Sequence, residues 1–124
     1  MSVVDSSGWI EFLLGTENGA RFRPQVESPD LAVPSIVISE VRRWMLSSRR
    51  FEELEEVTAL ISGRKVVPLD VGLAASAADL GIRHRLPLAD SIVYATARSL
   101  GLEVWTQDRD FQGLTGVQYI PKRP

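Results

Sequence analysis

Four carboxylates stand where the surrounding pattern calls for something else: Asp5, Glu40, Asp90 and Asp108. Around Glu40 the periodicity is helical. At about 100° per residue, Val37, Glu40, Val41 and Trp44 share one arc, which places the acid in the middle of an apolar stripe. A buried carboxylate without a partner is costly, on the order of several kcal/mol. A metal ion is one candidate partner. Asp90 falls on the edge of an inward face with Val93, Tyr94 and Ala97, although capping and the helix dipole also favour an aspartate in a first turn. Asp5 directly follows an apolar run, and Asp108 follows Glu103-Val104-Trp105 after Thr106 and Gln107. Both are strand-end positions, where open parallel sheets collect their ligands, and both are also ordinary loop or cap positions. As a set, the four acids can converge on one end of a sheet. Clustered carboxylates repel one another, so such a cluster makes sense with a cation among them.

Composition narrows what that cation is. The 124 residues contain no cysteine and one histidine, His84. Thiol nucleophiles, disulfides, thiolate zinc sites and two-histidine metal sites are therefore excluded within the chain. A metal must be held mainly by oxygen, which points to magnesium or manganese. The formal net charge of −2 rules out binding nucleic acid by a basic surface alone. No stretch has the roughly 18 apolar residues that a membrane span requires, and the opening Met-Ser-Val-Val-Asp lacks the basic lead-in and apolar run of a secretory signal. The expectation is a soluble, cytoplasmic protein with no membrane partner.

The elements that must position the acids alternate between strand-like and helical runs. That predicts one α/β domain over residues 1–124, three-layered α/β/α with a central, mostly parallel sheet. Strands are expected at 2–4, 31–33, 66–69, 103–105 and 117–120. Ser6 and Ser7 are expected to cap a helix over 8–14. A weaker helical stretch covers 17–26, and further helices are predicted over 36–47, 51–61, 70–83 and 89–101, the last stopped by Gly101. Phe51, Leu54, Val57, Leu60 and Ile61, with Trp44, Met45, Arg49 and Arg50 before them, suit a dimer or partner surface and suit core packing equally well.

In order along the chain, Val3-Val4-Asp5-Ser6-Ser7, Ile38-Ser39-Glu40-Val41, Leu86-Pro87-Leu88-Ala89-Asp90-Ser91-Ile92 and Trp105-Thr106-Gln107-Asp108-Arg109-Asp110-Phe111 resemble the acid-bearing segments of the PIN-domain nucleases. In particular they resemble those of the VapC toxins of prokaryotic toxin–antitoxin pairs. Each motif is short, but the set covers essentially the full length. The resemblance implies an endoribonuclease that needs magnesium or manganese, an RNA substrate, a cognate antitoxin and frequent homodimers. It favours Asp108 over Asp110 as the nearer ligand, with Asp110 as a supporting group, a turn cap or a ligand of a second metal.

One or two metals held by carboxylates supply all that phosphodiester hydrolysis needs. Asp5, Asp90 and Asp108 are expected to ligate, while Glu40 either ligates or serves as base. Ser6 and Thr106 suit supporting hydrogen bonds, or plain capping. RNA would be held by arginines, foremost Arg42, Arg43 and Arg109, then Arg83 and Arg85. Two other readings compete. A receiver or aspartate-nucleophile phosphatase also places an acid after its first strand, but the only lysines are Lys65 and Lys122, and the phosphatase's second aspartate would fall at Ser7. The other is a non-catalytic module that binds RNA or a partner, and the complete set of four acids speaks against it.

Overall fold

The computed structural model describes residues 1–122. Five strands, β1 (Ser2–Val4), β2 (Ala32–Pro34), β3 (Lys65–Val67), β4 (Glu103–Thr106) and β5 (Val117–Tyr119), form one sheet in the order β3-β2-β1-β4-β5. Every pairing is parallel, with Val3 opposite both Ala32 and Val104, and Val33 opposite Val66. Parallel strands need covered crossovers, and right-handed connections put them on fixed faces. The chain leaves β1 through α1 (Ser6–Leu14), α2 (Glu17–Ala20) and α3 (Arg23–Val26) to reach β2. It leaves β2 through α4 (Ser35–Ser47) and α5 (Leu54–Ser62) to reach β3. It then crosses back through α6 (Val71–His84) and α7 (Leu88–Leu100) to β4, on the opposite face. The strand order thus reverses beside β1, and a crevice opens at the carboxyl ends of β1 and β4.

Burial follows from this layering. β1 and β2 are buried at every residue, as befits central strands covered on both faces. Helix α7 is buried without interruption from Ser91 to Ala97, because it is wedged between the sheet and α6, with α4 against it as well. Its end is set by Gly101 at φ 67°, the left-handed cap expected there.

Four local details differ from the sequence reading, each for a physical reason. Helix α1 is capped by Asp5, whose carboxylate accepts from the Gly8 N–H, so Ser6 and Ser7 lie inside the helix. The 17–26 stretch is two helices. Pro24 has no N–H to offer Ala20, the last residue of α2, so a continuous helix breaks there. Helix α5 starts at Leu54 because Leu54, Val57 and Ile61 form its buried stripe, leaving Phe51 outside. In α4 the buried line is Val37, Val41 and Met45. Met45 moves the centre of the stripe away from Glu40 and Trp44, which are half-buried on its flank. Core packing also claims Met45, Leu54, Val57 and Ile61 from the surface proposed for them.

Candidate active site

Asp5 ends β1 with only 2% of its surface exposed. Burial without compensation would be prohibitive, and the fold supplies three donors. Ser7 Oγ donates to Asp5 Oδ1 at 2.7 Å, the Gly8 N–H donates to the same oxygen at 3.1 Å, and Thr106 Oγ1 donates to Oδ2 at 2.7 Å. With two lone pairs per carboxylate oxygen, Oδ1 is filled and Oδ2 keeps one acceptor site. Burial still prevails over these bonds and pushes the Asp5 carboxyl from its ordinary 3.8 to about 6, the nearby Asp108 charge adding to the rise.

Thr106, fully buried at the end of β4, serves two acids at once. Its hydroxyl donates to Asp5 and accepts the Asp108 N–H at 2.9 Å. Asp108 in turn caps a short 3-10 turn, Arg109–Phe111, accepting the Asp110 N–H on Oδ1 at 2.9 Å. Phe111, fully buried, anchors that turn. The Thr-x-Asp-x-x-Phe spacing therefore has a mechanical meaning: one residue positions the acid and the other pins the loop.

Asp90 lies in the first turn of α7. Its carboxyl is pushed from 3.8 to about 8, first by burial, then by the charge of Asp108 and a hydrogen bond with it, then by the charges of Asp5 and Glu40. Glu40, from α4, is raised by burial and by Asp108, against a hydrogen bond from Ser6 that lowers it. All four acids thus act on one another across segments up to 103 positions apart, from Asp5 to Asp108. Helices α1, α4 and α7 all begin on this edge of the sheet, so the positive ends of three dipoles face the cluster.

A divalent cation fits this set. Asp90, Asp108 and Asp110 each offer an oxygen within 4.8 Å of the others. The ligands are all carboxylates, the donor class of magnesium and manganese, and charge that three carboxylates cannot share unaided is what such an ion neutralises. The geometry draws the exposed Asp110 into this close triad, with the buried Asp5 behind it and Glu40 beside it.

Of the arginines, Arg42 is committed elsewhere. Its guanidinium donates to Thr58 Oγ1 and Glu55 Oε1, both at 2.8 Å, clipping α4 to α5. In this structure the guanidinium is engaged in that clip rather than open toward the acids. Arg43 is exposed on the Glu40 flank of α4, and Arg109 is exposed beside Asp108. Arg83 and Arg85 are exposed around the turn that leads into α7. His84 packs edge-to-face on Tyr94, 5.7 Å between ring centres, and has no part in the cluster.

Sequence reasoning missed the polar chain behind the acids. Ser7 accepts the Gln107 N–H, and the Gln107 amide bridges Asn18 of α2 and Glu11 of α1. The buried Asn18 ties α2 to the end of β4, but no local pattern distinguishes it from any loop asparagine.

These features define a doubly wound α/β protein with a carboxylate cluster in its switch-point crevice. The sequence profile of the PIN domain family matches residues 2–116, and the chain belongs to that family. No curated protein matches the sequence. Among solved structures, the chain is similar to a toxin–antitoxin complex from Klebsiella pneumoniae, with TM-score 0.81, 22% identity, and 97% of this chain and 100% of that one covered. It is also similar to VapC20 of Mycobacterium tuberculosis, a sarcin–ricin loop cleaving toxin, with TM-score 0.77, 19% identity and full coverage of both chains. A third likeness is to DNA-bound VapBC from Salmonella typhimurium, with TM-score 0.67, 22% identity and 98% of each chain covered. At these identities the likeness concerns the fold. Among the described residues, no helix is long and apolar enough to cross a membrane.

Proposed function

We propose that this chain is a magnesium- or manganese-dependent endoribonuclease of the VapC type, the toxin of a toxin–antitoxin pair acting in the cytoplasm. The observation that carries the reading is the convergence of Asp5, Glu40, Asp90 and Asp108 from four segments: the Asp108 charge raises the carboxyls of the other three, and Asp5 and Glu40 add to the rise at Asp90. A fold does not gather such charge for stability.

In this reading Asp90, Asp108 and the remaining acceptor site of Asp5 hold the cation. Asp110 completes the shell or serves a second ion. A bound cation supplies Lewis-acid stabilisation of the phosphoryl oxygens and activates water. The chain's own groups do the rest. Glu40, held by Ser6, takes the proton of the attacking water as its oxygen bonds to phosphorus and one ester oxygen leaves. Thr106 and Ser7 fix the Asp5 carboxylate, so the ligand geometry is set before substrate arrives. Arg109 and Arg43 offer positive charge to the flanking phosphates.

The antitoxin and homodimer parts of the reading draw on the fold likeness to the toxin–antitoxin complexes and on the sequence resemblance. The non-catalytic module is disfavoured because no acid of the set is lost or turned away from the others. The test is to map RNA ends after brief induction of wild type and of Asp90→Asn. New discrete ends are expected with wild type alone. Identical ends in both, or none in either under conditions where the protein is folded, would overturn the assignment. Sedimentation of the purified chain, with and without the product of a neighbouring antitoxin gene, checks the partners.

A further inference from the structure

A groove of about 570 Å³ opens beside the acids, between the outer flank of α4 and the start of α7. Its volume is within the range of small-ligand sites, roughly 300–1,000 Å³. Glu40 and Ala89 form one end, so the groove runs directly from the carboxylate cluster. Arg43 and Trp44 line it as well, three and four residues on from Glu40 and therefore one helical turn away on the same face. Trp44 lies off the fully buried line of α4, packed against the core on one side and partly open to the groove on the other. The guanidinium of Arg50 lies over the ring, 5.0 Å from its centre, a cation–π contact that holds one face of Trp44 and brings positive charge to it. Ser39 and Ser47 supply hydroxyls along the wall.

We propose that this groove is a nucleotide subsite for single-stranded RNA, the base stacking on Trp44 and its phosphate lying against Arg43. The inference rests on the ribonuclease reading for its location but adds a residue that fixes the substrate's strandedness. Charge complementarity argues for this occupant. The chain is acidic overall, yet Arg43 lines this groove next to Trp44, and Arg50 lies over the Trp44 ring. Aromatic–base stacking is tolerant of sequence and needs an unstacked base. The subsite therefore selects for single strands next to the cut and discriminates little among bases.

The experiment uses the wild-type chain with a single-stranded RNA octamer. Calcium replaces magnesium, and a gel verifies that the octamer stays intact. Trp9 is fully buried but Trp105 is half-buried like Trp44, so the titration is repeated in a Trp105→Phe background, where quenching of tryptophan emission is expected to report mainly Trp44. Anisotropy of a labelled octamer gives the affinity. Trp44→Phe is expected to remove the quench while keeping affinity within about threefold, and Trp44→Leu to weaken it by about tenfold or more. In magnesium, Trp44→Leu is expected to raise KM with little change in kcat, because stacking away from the reacting bond is uniform binding. A duplex of the same length is expected to give no quench. Unchanged affinity in Trp44→Leu, or equal quenching by the duplex, overturns the subsite. Thermal melts establish that both variants fold. If Trp44→Leu does not, Arg43→Gln provides the second arm, with a several-fold loss of affinity expected and no loss overturning the proposal. Quenching by the octamer without cleavage in magnesium would sink the nuclease reading and leave the subsite standing. Cleavage that needs Asp90 but ignores Trp44 would do the reverse.

Discussion

The inner and outer halves of the acid cluster treat negative charge in opposite ways. The inner half is Asp5, sealed from solvent and held by Ser7, Gly8 and Thr106. The outer half is Asp90, Asp108 and Asp110, partly exposed and crowded within 4.8 Å. For Asp5 the fold supplies the stabilisation, and three donors keep its carboxyl only moderately above the ordinary range despite near-complete burial. For Asp90 the neighbours are acids, and its carboxyl rises further although it is less buried. The difference lies in what offsets the charge: protein donors do so for Asp5, whereas Asp90 faces other acids, and in the proposed reading a cation shared with Asp5 would supply what they lack.

The sharpest way to break this contrast is Asp90→Asn. Removing one of several like charges is expected to leave the metal-free protein at least as stable as wild type, as read by thermal melting. RNA cleavage in magnesium is expected to fall by about 10³-fold, within the range for loss of a positioned proton-transfer or ligating group. Marked destabilisation without metal would mean that Asp90 is a structural acid like Asp5, and the contrast would fail.

Metal and pH give the next largest effect. Both Asp5 and Asp90 bind protons more tightly when folded than at the ordinary 3.8 of an unfolded chain. Between about pH 4 and pH 8 the folded state therefore holds more protons. The stability associated with these groups is complete at low pH and is lost as pH rises through each folded pKa. Metal-free stability should decline over pH 4–6 with both Asp5 and Asp90 and over pH 6–8 with Asp90 alone, so Asp90→Asn should flatten the second segment and make the first shallower. Manganese at about 100 times its dissociation constant should raise stability by about 2.7 kcal/mol. The gain should be greater at pH 8 than at pH 5, because ligands must shed protons to bind. Calorimetric melts at three pH values, with manganese and with chelator, check every part of this.

Thr106→Val probes the inner half at nearly constant volume. It removes the donor to Asp5 Oδ2 and the acceptor of the Asp108 N–H together. Denaturant unfolding should show a loss of about 1–3 kcal/mol, the usual consequence of leaving buried polar groups unpaired. Cleavage should drop by about 10–100-fold, as for other groups that orient ligands, and Thr106→Ser should restore most of both. If Thr106→Val reduced activity with no change in stability, Thr106 would belong with the outer acids.

The same contrast explains what the sequence disclosed. Strand ends, helix order and the four acids were readable because each left a local mark: an acid after an apolar run, a Gly101 stop, a Thr-x-Asp-x-x-Phe spacing. The parallel sheet followed from alternation alone. The exact stripe of α4 was not readable, since it depended on Met45 rather than Trp44 facing the core, a choice made by α5 packing on α4. Thr106 was legible as a supporting hydroxyl, but not that its acceptor is Asp5, 101 positions away, nor that Ser7 rather than Ser6 is the serine bonded to that acid. Asp110 was legible as an acid but not as a member of the triad, which the turn Arg109–Phe111 creates by folding it back onto Asp108.

The smallest expected effect separates two adjacent arginines that sequence could not tell apart. Arg42 spends its guanidinium on Thr58 and Glu55, and Glu55 is held below its usual range by that contact. Arg43 is exposed beside the groove. Arg42→Ala should change cleavage by less than about twofold and stability only slightly, as for other exposed ion pairs. It should leave the salt dependence of RNA binding as it was. Arg43→Ala should weaken binding and reduce the slope of log affinity against log salt by about one phosphate contact. Were the two slopes reversed, Arg42 would have to leave Glu55 when RNA binds. The clip between α4 and α5 would then be part of substrate recognition rather than scaffold.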